Sequence, residues 1–228
     1  CGKPKDRCFV AEQDTISPII DRRYAFRYKQ DSLSVLIPRY ALYESMFYKQ
    51  QRLDKRVKSD STVVVLSPVY RLLDRTVPLH SSILVAIKAD VPDYLRSRAK
   101  LATLTSKGKI SLLGGEYSAG QVEAQVRTLG DYFIVADVGL PTIKPKFERG
   151  ADLSGKESVD IAVKDNVSSI SSWAASIDGV WQPLDYHPVR GVVTLSLKGV
   201  AKNQTHSLTI RISDSSGNSQ THTTEFKY

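Results

Sequence analysis

The sequence has few of the residues that build metal centres and covalent active sites. It contains two cysteines and four histidines among 228 residues. It also has no run of about 18 apolar residues, so it has no segment that could cross a membrane as a helix. No charged segment followed by an apolar one opens the chain, and we expect any signal peptide to have been removed. Because the first residue is Cys1 rather than Met, we interpret the chain as a processed or excised piece of a longer protein.

The two cysteines, Cys1 and Cys8, lie close together in a charged, irregular stretch. They are too few to supply the four ligands of a structural zinc site. Three interpretations stay open. The pair forms a small disulfide loop in an oxidising compartment, Cys1 carries a lipid as in bacterial lipoproteins, or Cys1 marks an arbitrary fragment boundary.

The histidines also lack the spacing of a metal site. None has a second histidine two to five residues away, and none lies near a G-x-S-x-G turn. Gly114-Gly115 is followed by Glu116 rather than by the lysine of a phosphate-binding loop. The sequence therefore predicts no catalytic residue, no metal and no cofactor in this chain. The four histidines are His80, His187, His206 and His222.

Two acidic residues begin polar turns in the second half of the chain. Asp165 opens D-N-V-S-S and Asp214 opens D-S-S-G-N. Oxygen atoms in such turns can bind Ca²⁺, but an aspartate at this position more often caps the turn. We interpret both residues as turn caps.

Positive charge is concentrated in the first part of the chain. The net charge is +8, and residues 1–148 hold 24 basic and 16 acidic residues, whereas residues 149–228 hold eight of each. The densest segment, Arg22–Lys58, could contact an anionic polymer, although a solvated basic surface gives the same pattern. The candidate contact residues are Arg22, Arg23, Arg27, Lys29, Arg52, Lys55, Arg56 and Lys58.

The hydrophobic pattern predicts an all-β fold. Short β-branched runs such as Leu33–Ile37, Thr62–Leu66 and Ile83–Ile87 are bounded by Pro, Asp or Ser. We expect helical turns at 40–48 and 93–99. After a Pro-containing linker near 141–150, six further short strands favour an immunoglobulin-like sandwich. They include the alternating run Val159–Val163 and a single strand over 180–186.

The predicted architecture is thus two β-sandwich domains, the second immunoglobulin-like. Residues 1–22 form an N-terminal segment that could end a preceding domain, residues 23–142 the first sandwich and residues 143–228 the second. The Asp178-Gly179 pair predicts a tight hairpin. We place Trp173, Trp181 and Leu184 in the second core.

The first aromatic residues between positions 24 and 48 alternate with arginine and lysine, and the later ones, from Tyr40 onward, follow at roughly helical spacing. Such a mixture can stack on sugars or bases, but alternating aromatic residues more often form the buried face of a strand. We therefore assign these aromatic residues to the core. They are Tyr24, Phe26, Tyr28, Tyr40, Tyr43, Phe47 and Tyr48.

Part of the first domain resembles the β-sandwich of netrin-receptor and tight-junction proteins. The matching residues are Ile37-Pro38 with Ala41-Leu42, then Pro78-Leu79, and the run Leu129–Asp137. A proline that ends a strand fits this pattern, because proline cannot donate to the ladder.

The stretch from about Ser32 to Tyr228 also resembles the C-terminal region of lysostaphin-type envelope metallopeptidases of Bacteroidetes. The resemblance implies a secreted or periplasmic zinc endopeptidase that acts on peptidoglycan. The matching motifs, in order, are Ser67–Tyr70, Pro78–His80, Leu113–Tyr117, Leu129–Asp137, Ile177–Trp181 and Ile212–Asn218.

The zinc ligands of that family cannot be assigned to this chain. The family needs an H-x-x-x-D pair and an H-x-H pair, and the sequence contains neither. We therefore expect a non-enzymatic accessory and targeting module. Its partners would be the catalytic domain of a parent peptidase and peptidoglycan or another anionic envelope polymer, not nucleic acid. It would lie in the periplasm or at the cell surface, with a lipid anchor as one option. The alternative is a free-standing glycan- or protein-binding module of the adhesin type.

Overall fold

The structure is a computed structural model that describes residues 7–10, 18–30, 32–53, 57 and 61–228. These residues form an all-β protein with one short 3₁₀ helix, Asp93–Arg98. The chain divides into two compact units, Cys1–Asp137 and Val138–Tyr228. The predicted all-β fold is confirmed.

The strands of the first unit are β1 (Arg7–Val10), β2 (Ile19–Ile20), β3 (Phe26–Gln30), β4 (Leu33–Ile37), β5 (Met46–Phe47), β6 (Gln50–Leu53), β7 (Val63–Val65), β8 (Val69–Leu72), β9 (Ile83–Lys88), β10 (Ala99–Leu104), β11 (Ile110–Gly114), β12 (Glu116–Ser118), β13 (Gln121–Val126) and β14 (Gly130–Asp137). Those of the second unit are β15 (Thr142–Pro145), β16 (Ala151–Asp152), β17 (Ser158–Lys164), β18 (Ile170–Ile177), β19 (Val180–Gln182), β20 (Leu184–His187), β21 (Val192–Ser196), β22 (Thr205–Asp214) and β23 (Ser219–Lys227).

The first unit is a sandwich of two main sheets. One has the order β1-β3-β4-β9-β13-β12, and the other has the order β11-β10-β14-β8-β6 with β7 pairing along β14. All eight residues of β14 are buried, because this strand is central in its sheet. Asp131 in β14 accepts two hydrogen bonds from the Arg71 guanidinium, at 2.7 and 3.1 Å, which compensates for burying its carboxylate.

Alternation along β3 and β4 sets the two surfaces of the first sheet. Phe26 and Tyr28 are buried while Arg27 and Lys29 are exposed, because successive side chains of a strand point to opposite faces. Strand β4 follows the same period. A separate two-stranded pair joins β2, before β3, with β5, after β4, and places Ile19 opposite Phe47.

The second unit is an immunoglobulin-like sandwich without a disulfide among its described residues. Its sheets have the orders β15-β17-β21-β20 and β16-β23-β22-β18-β19. Residues from both sheets form one buried cluster, so apolar burial alone holds the sheets together. The fully buried members of this cluster are Ile161, Val193, Leu195, Leu197, Leu208, Ile210, Ile212 and Phe226.

Several local expectations are wrong. Residues 40–48 are not helical but form bends and β5, and part of the predicted linker is strand β15. The single strand expected over 180–186 is two strands in different sheets, with Pro183 between them. Proline cannot donate to a ladder, which favours the break. The helical turn predicted at 93–99 is present as the 3₁₀ helix Asp93–Arg98.

The tryptophans are also misplaced by the sequence interpretation. Trp173 is 38% exposed and Trp181 is 68% exposed, so neither is a core residue. Leu184 packs against the core while partly buried. Trp181 pairs with Ser176 across β18 and β19, and this register turns its ring away from Ala175 and Ile177, which are buried.

Candidate functional site

The cationic residues proposed from the sequence are spread over both sheets of the first unit. Arg27 and Lys29 lie on the exposed side of β3. Arg52 is exposed on β6, which belongs to the other main sheet. Lys55, Arg56 and Lys58 lie outside the described residues.

Arg22 and Arg23 are neighbours in the turn before β3, but their guanidinium groups have different partners. Arg23 donates from Nε and Nη2 to the two carboxylate oxygens of Asp21, at 3.0 and 2.7 Å. The hydrogen bonds and charge of Asp21 raise the pKa of Arg23. Much of the charge of Arg23 is therefore compensated within the protein.

Arg22 is held differently. Its backbone N–H donates to Ser45 Oγ at 3.1 Å, and Nη1 donates to the Tyr43 carbonyl at 2.7 Å. The guanidinium carbon lies 5.7 Å from the centre of the Tyr40 ring, within the range of a cation–π contact. Arg22 thus presents a cation beside the Tyr40 ring, held in place by the Tyr43 backbone.

These contacts define a surface that the sequence interpretation missed. We call it the aromatic corner, and its members are Ile19, Arg22, Tyr40, Tyr43 and Phe47. The four apolar members are exposed, whereas the sequence had assigned Tyr40, Tyr43 and Phe47 to the core. The core assignment is right for Phe26, Tyr28 and Tyr48.

The backbone explains why Tyr40 is exposed. Its φ is 60°, a left-handed conformation that is unusual for a bulky residue. The Tyr40 N–H donates to the Arg22 carbonyl at 2.6 Å, and the Ala41 N–H donates to the Pro38 carbonyl. Pro38 in the sequence is the signal that could have indicated a turn here instead of a helix.

The second unit presents a different surface. Cross-strand pairing places Trp181, Ser176, Thr209 and Thr223 in one row across four strands. The hydroxyls of Thr209 and Thr223 are 3.1 Å apart. We call this surface the hydroxyl face, and it comprises Ser172, Ser176, Trp181, Thr209, Ser213, Ser219, Thr221 and Thr223.

A family model described as a Zu5-like domain matches residues 19–137. The match covers slightly more than half of the chain. The chain belongs to the Zu5-like domain family. The Zu5-like domain ends at the same residue, Asp137, as the first compact unit, and it contains the aromatic corner together with Arg27 and Lys29. Among curated proteins, none matches the chain significantly.

The matched span of the Zu5-like domain includes Ile37–Leu42, Pro78-Leu79 and Leu129–Asp137, on which the first sequence resemblance was based. Within the domain, His80 packs edge-on against Tyr43, with ring centres 5.6 Å apart. The resemblance to envelope peptidases extends over both units and stays a prediction.

In the second unit, His206 is buried with both ring nitrogens engaged. Nδ1 lies 2.6 Å from an Asp178 carboxylate oxygen, and Nε2 lies 2.7 Å from the Ala201 carbonyl. Burial lowers the pKa of His206, but the hydrogen bonds to Asp178 and Ala201 outweigh it, so the pKa is raised. A protonated imidazole can donate to both acceptors.

The structure supports turn capping by Asp165 and Asp214. Asp165 Oδ1 accepts hydrogen bonds from the N–H groups of Val167 and Ser168. Asp214 Oδ1 accepts from the N–H groups of Ser216 and Asn218. Carboxylate oxygens of the two aspartates also lie within 4.8 Å of one another.

Among the residues that the structure describes, no helix is long and apolar enough to cross a bilayer.

Proposed function

We propose that this chain is a non-catalytic targeting module of a secreted or periplasmic peptidoglycan metalloendopeptidase. The catalytic zinc domain would lie elsewhere in the parent protein. The all-β architecture of both units and the ordered series of sequence motifs support this proposal. It places the chain outside the cytoplasm, with the catalytic domain and an anionic envelope polymer as partners.

The observation that carries the proposal is the two-sided pattern of β3. Phe26 and Tyr28 anchor the strand in the core, while Arg27 and Lys29 point into solvent. Both cations therefore belong to the solvent-facing surface of the sheet, and Arg22 lies exposed in the turn before β3 of the same Zu5-like domain. Such a surface attracts carboxylates and phosphates, with an affinity that falls as salt screens the charges.

The test is sedimentation of the full chain with purified, insoluble sacculi. We expect the wild-type chain to sediment with sacculi at low salt and to be released as ionic strength rises. The chain alone should release no muropeptides and should hold no stoichiometric zinc after dialysis. Muropeptide release with turnover, or one bound zinc per chain, contradicts the non-catalytic part of the proposal.

A matched pair of double variants distinguishes a specific effect of the β3 cations from a general effect of net charge. Arg27→Glu with Lys29→Glu should weaken sedimentation about tenfold or more. Lys164→Glu with Lys198→Glu changes the net charge by the same amount at exposed positions of the second unit and should have a much smaller effect. Equal effects of the two double variants contradict a role for β3.

A second candidate function is a free-standing glycan-binding module of the adhesin type. It is favoured by the exposed ring of Trp181 and by the hydroxyl face beside it, because a tryptophan can stack on a sugar ring while hydroxyls bond its oxygens. Trp173 packs against Tyr186, with ring centres 4.7 Å apart, which fixes its orientation.

This candidate predicts saturable binding of a neutral polysaccharide that is lost in Trp181→Ala. Val189→Ala, at another exposed apolar position of the second unit, is the control and should bind normally. Binding that is unchanged in Trp181→Ala excludes the hydroxyl face as the glycan site.

A further inference from the structure

Exposed apolar side chains of the Zu5-like domain are concentrated in the aromatic corner. Ile19 is 55%, Tyr40 49%, Tyr43 58% and Phe47 58% exposed. Among the described residues of the first unit, Tyr94 is the one other large apolar side chain with comparable exposure. A contiguous apolar patch on a water-soluble surface marks an interaction site more often than scattered apolar residues do.

Several connections hold the members of the aromatic corner together. Ile19 is paired with Phe47 in the β2–β5 ladder. Two residues beyond this ladder, the Arg22 N–H donates to Ser45 Oγ. The Arg22 guanidinium then contacts both Tyr40 and the Tyr43 carbonyl. These contacts pre-organise the surface, which reduces the entropy lost on binding.

The left-handed backbone of Tyr40 adds evidence that the surface has a role. A tyrosine at φ 60° is less stable than an asparagine or glycine there. Strained residues of this kind cluster at functional sites. In this case the strain is associated with an exposed ring placed beside a cation.

The chemistry of the corner indicates an anionic partner with ring faces that can stack. Arginine offers a planar set of N–H donors that matches a carboxylate better than lysine does. The tyrosine rings offer flat faces to the C–H face of a sugar. Arg22 is the one charged member of the corner, and the carboxylate of the adjacent Asp21 is bound by Arg23, so the charge of Arg22 favours a negatively charged ligand.

We propose that the aromatic corner binds a glycan that carries carboxylate groups. The sugar rings stack on Tyr40 and Tyr43, and a carboxylate pairs with the Arg22 guanidinium. This inference rests on the proposed function, since the stem peptides of peptidoglycan carry carboxylates, as do muramic acid units from which the stem peptide has been removed. It assigns recognition to a defined site in place of a diffuse basic surface.

The experiment compares three single variants of the full chain. Arg22→Ala removes the cation in the corner, and Arg23→Ala removes the neighbouring cation that Asp21 already binds. Both change the net charge equally. Tyr40→Asn removes the ring but keeps a residue that tolerates left-handed φ, so the variant should stay folded. Thermal unfolding of each variant verifies the fold.

The probes are soluble oligosaccharides of equal length. One alternates glucuronate with N-acetylglucosamine, one is a neutral chitin oligosaccharide, and a polyphosphate and a single-stranded DNA oligonucleotide serve as other polyanions. We expect the carboxylated glycan to bind best. Arg22→Ala and Tyr40→Asn should each weaken its binding about tenfold, and Arg23→Ala by less than about threefold.

Three outcomes overturn the inference. They are equal losses in Arg22→Ala and Arg23→Ala, unchanged binding in Tyr40→Asn, and tighter binding of DNA or polyphosphate than of the carboxylated glycan. Sedimentation with sacculi tests the proposed function separately. If the variants bind sacculi like wild type, the corner is excluded as the site that binds sacculi, while the targeting function stands. If the corner binds the oligosaccharide but the chain does not sediment with sacculi, the targeting function is contradicted and the glycan site in the corner is not.

Discussion

Tyr48 lies in the core of the first unit and carries its hydroxyl group into that core. Its ring centre is 4.4 Å from that of Tyr28 and 5.0 Å from that of Phe26. Its hydroxyl is buried without a hydrogen-bond partner among the described residues, and burial raises its pKa. A buried, unpaired hydroxyl costs free energy that the ring contacts must offset.

We therefore expect Tyr48→Phe to raise the free energy of unfolding by about 1 kcal/mol. The measurement is urea denaturation of the full chain at neutral pH. Tyr132→Phe is the matched control, because the buried Tyr132 hydroxyl donates to the Thr128 carbonyl and its loss should destabilise by about 1 kcal/mol. Destabilisation by both changes contradicts the assignment of an unpaired hydroxyl.

The pairing of buried His206 with exposed Asp178 predicts how stability depends on pH. The pKa of His206 is raised above its ordinary value of 6.5, so the folded state binds this proton more tightly than the unfolded state. The resulting stabilisation is fully present below pH 6.5. It should be lost progressively as pH rises from there through the raised pKa.

The Asp178 carboxylate has the opposite dependence. The Ser207 N–H and the His206 ring lower its pKa from the ordinary value of 3.8, so its contribution is present above pH 3.8 and is lost as pH falls through the lowered pKa. Urea denaturation from pH 3 to pH 9 measures both effects. In Asp178→Asn the new asparagine tolerates φ 52°. This change should weaken the dependence of the unfolding free energy on pH on both the acidic and the alkaline side, and an unchanged profile contradicts the pairing.

At the scale of elements, the β18–β19 hairpin follows from two residues. Asp178 and Gly179 have φ values of 52° and 82°, the pattern of a tight two-residue turn with positive φ at both positions. The Asp178 carboxylate also accepts a hydrogen bond from the Ser207 N–H at 2.8 Å. The turn therefore ties the hairpin to β22 as well as joining two strands.

Gly179→Ala should lower the free energy of unfolding by about 1 kcal/mol or more. Apart from its chain neighbours, no described residue has an atom within 4 Å of the Cβ that this change would add, so the effect comes from the backbone conformation. Gly155→Ala is the control, because that site is also open and carries no left-handed φ. Thermal unfolding of both variants gives the comparison, and equal stability of the two would contradict the turn assignment.

The elements that were predicted correctly are those with strong local signals. Alternation identified β4, β9 and β17, and the Asp178-Gly179 pair identified the hairpin. The split at Pro183 was missed because each half carries large apolar side chains, and the choice of sheet depends on distant partners. Residues 40–48 were misassigned because their aromatic spacing resembles a helix, while the hydrogen bond from Tyr40 to the Arg22 carbonyl is a contact between separate segments.

The same reasoning applies to the candidate site. The sequence indicated Arg22, Arg27 and Lys29 through their charge, and the structure places all three at the surface. It could not indicate that Asp21 binds Arg23, or that Tyr40 and Tyr43 are exposed beside Arg22. Exposure of an aromatic side chain depends on what the rest of the fold leaves uncovered, which local patterns do not encode.

At the scale of the whole molecule, each unit has its own buried core. Ile87 is fully buried in the first and Leu208 in the second. We expect calorimetry of the full chain to show two transitions. Ile87→Ala should lower the midpoint temperature of one transition, and Leu208→Ala that of the other. Each change should reduce the unfolding free energy of its own unit by about 2–5 kcal/mol. If either change lowers both transitions equally, the units unfold as one cooperative body.

The two tryptophans of the sequence both belong to the second unit, and both rings reach solvent. Intrinsic fluorescence excited at the red edge of the absorption band therefore reports on that unit. A ligand seated on Trp181 should quench or blue-shift the emission, whereas one seated on Tyr40 should leave the spectrum unchanged. A single cuvette titration can thus assign a bound sugar to one unit or the other before any residue is replaced.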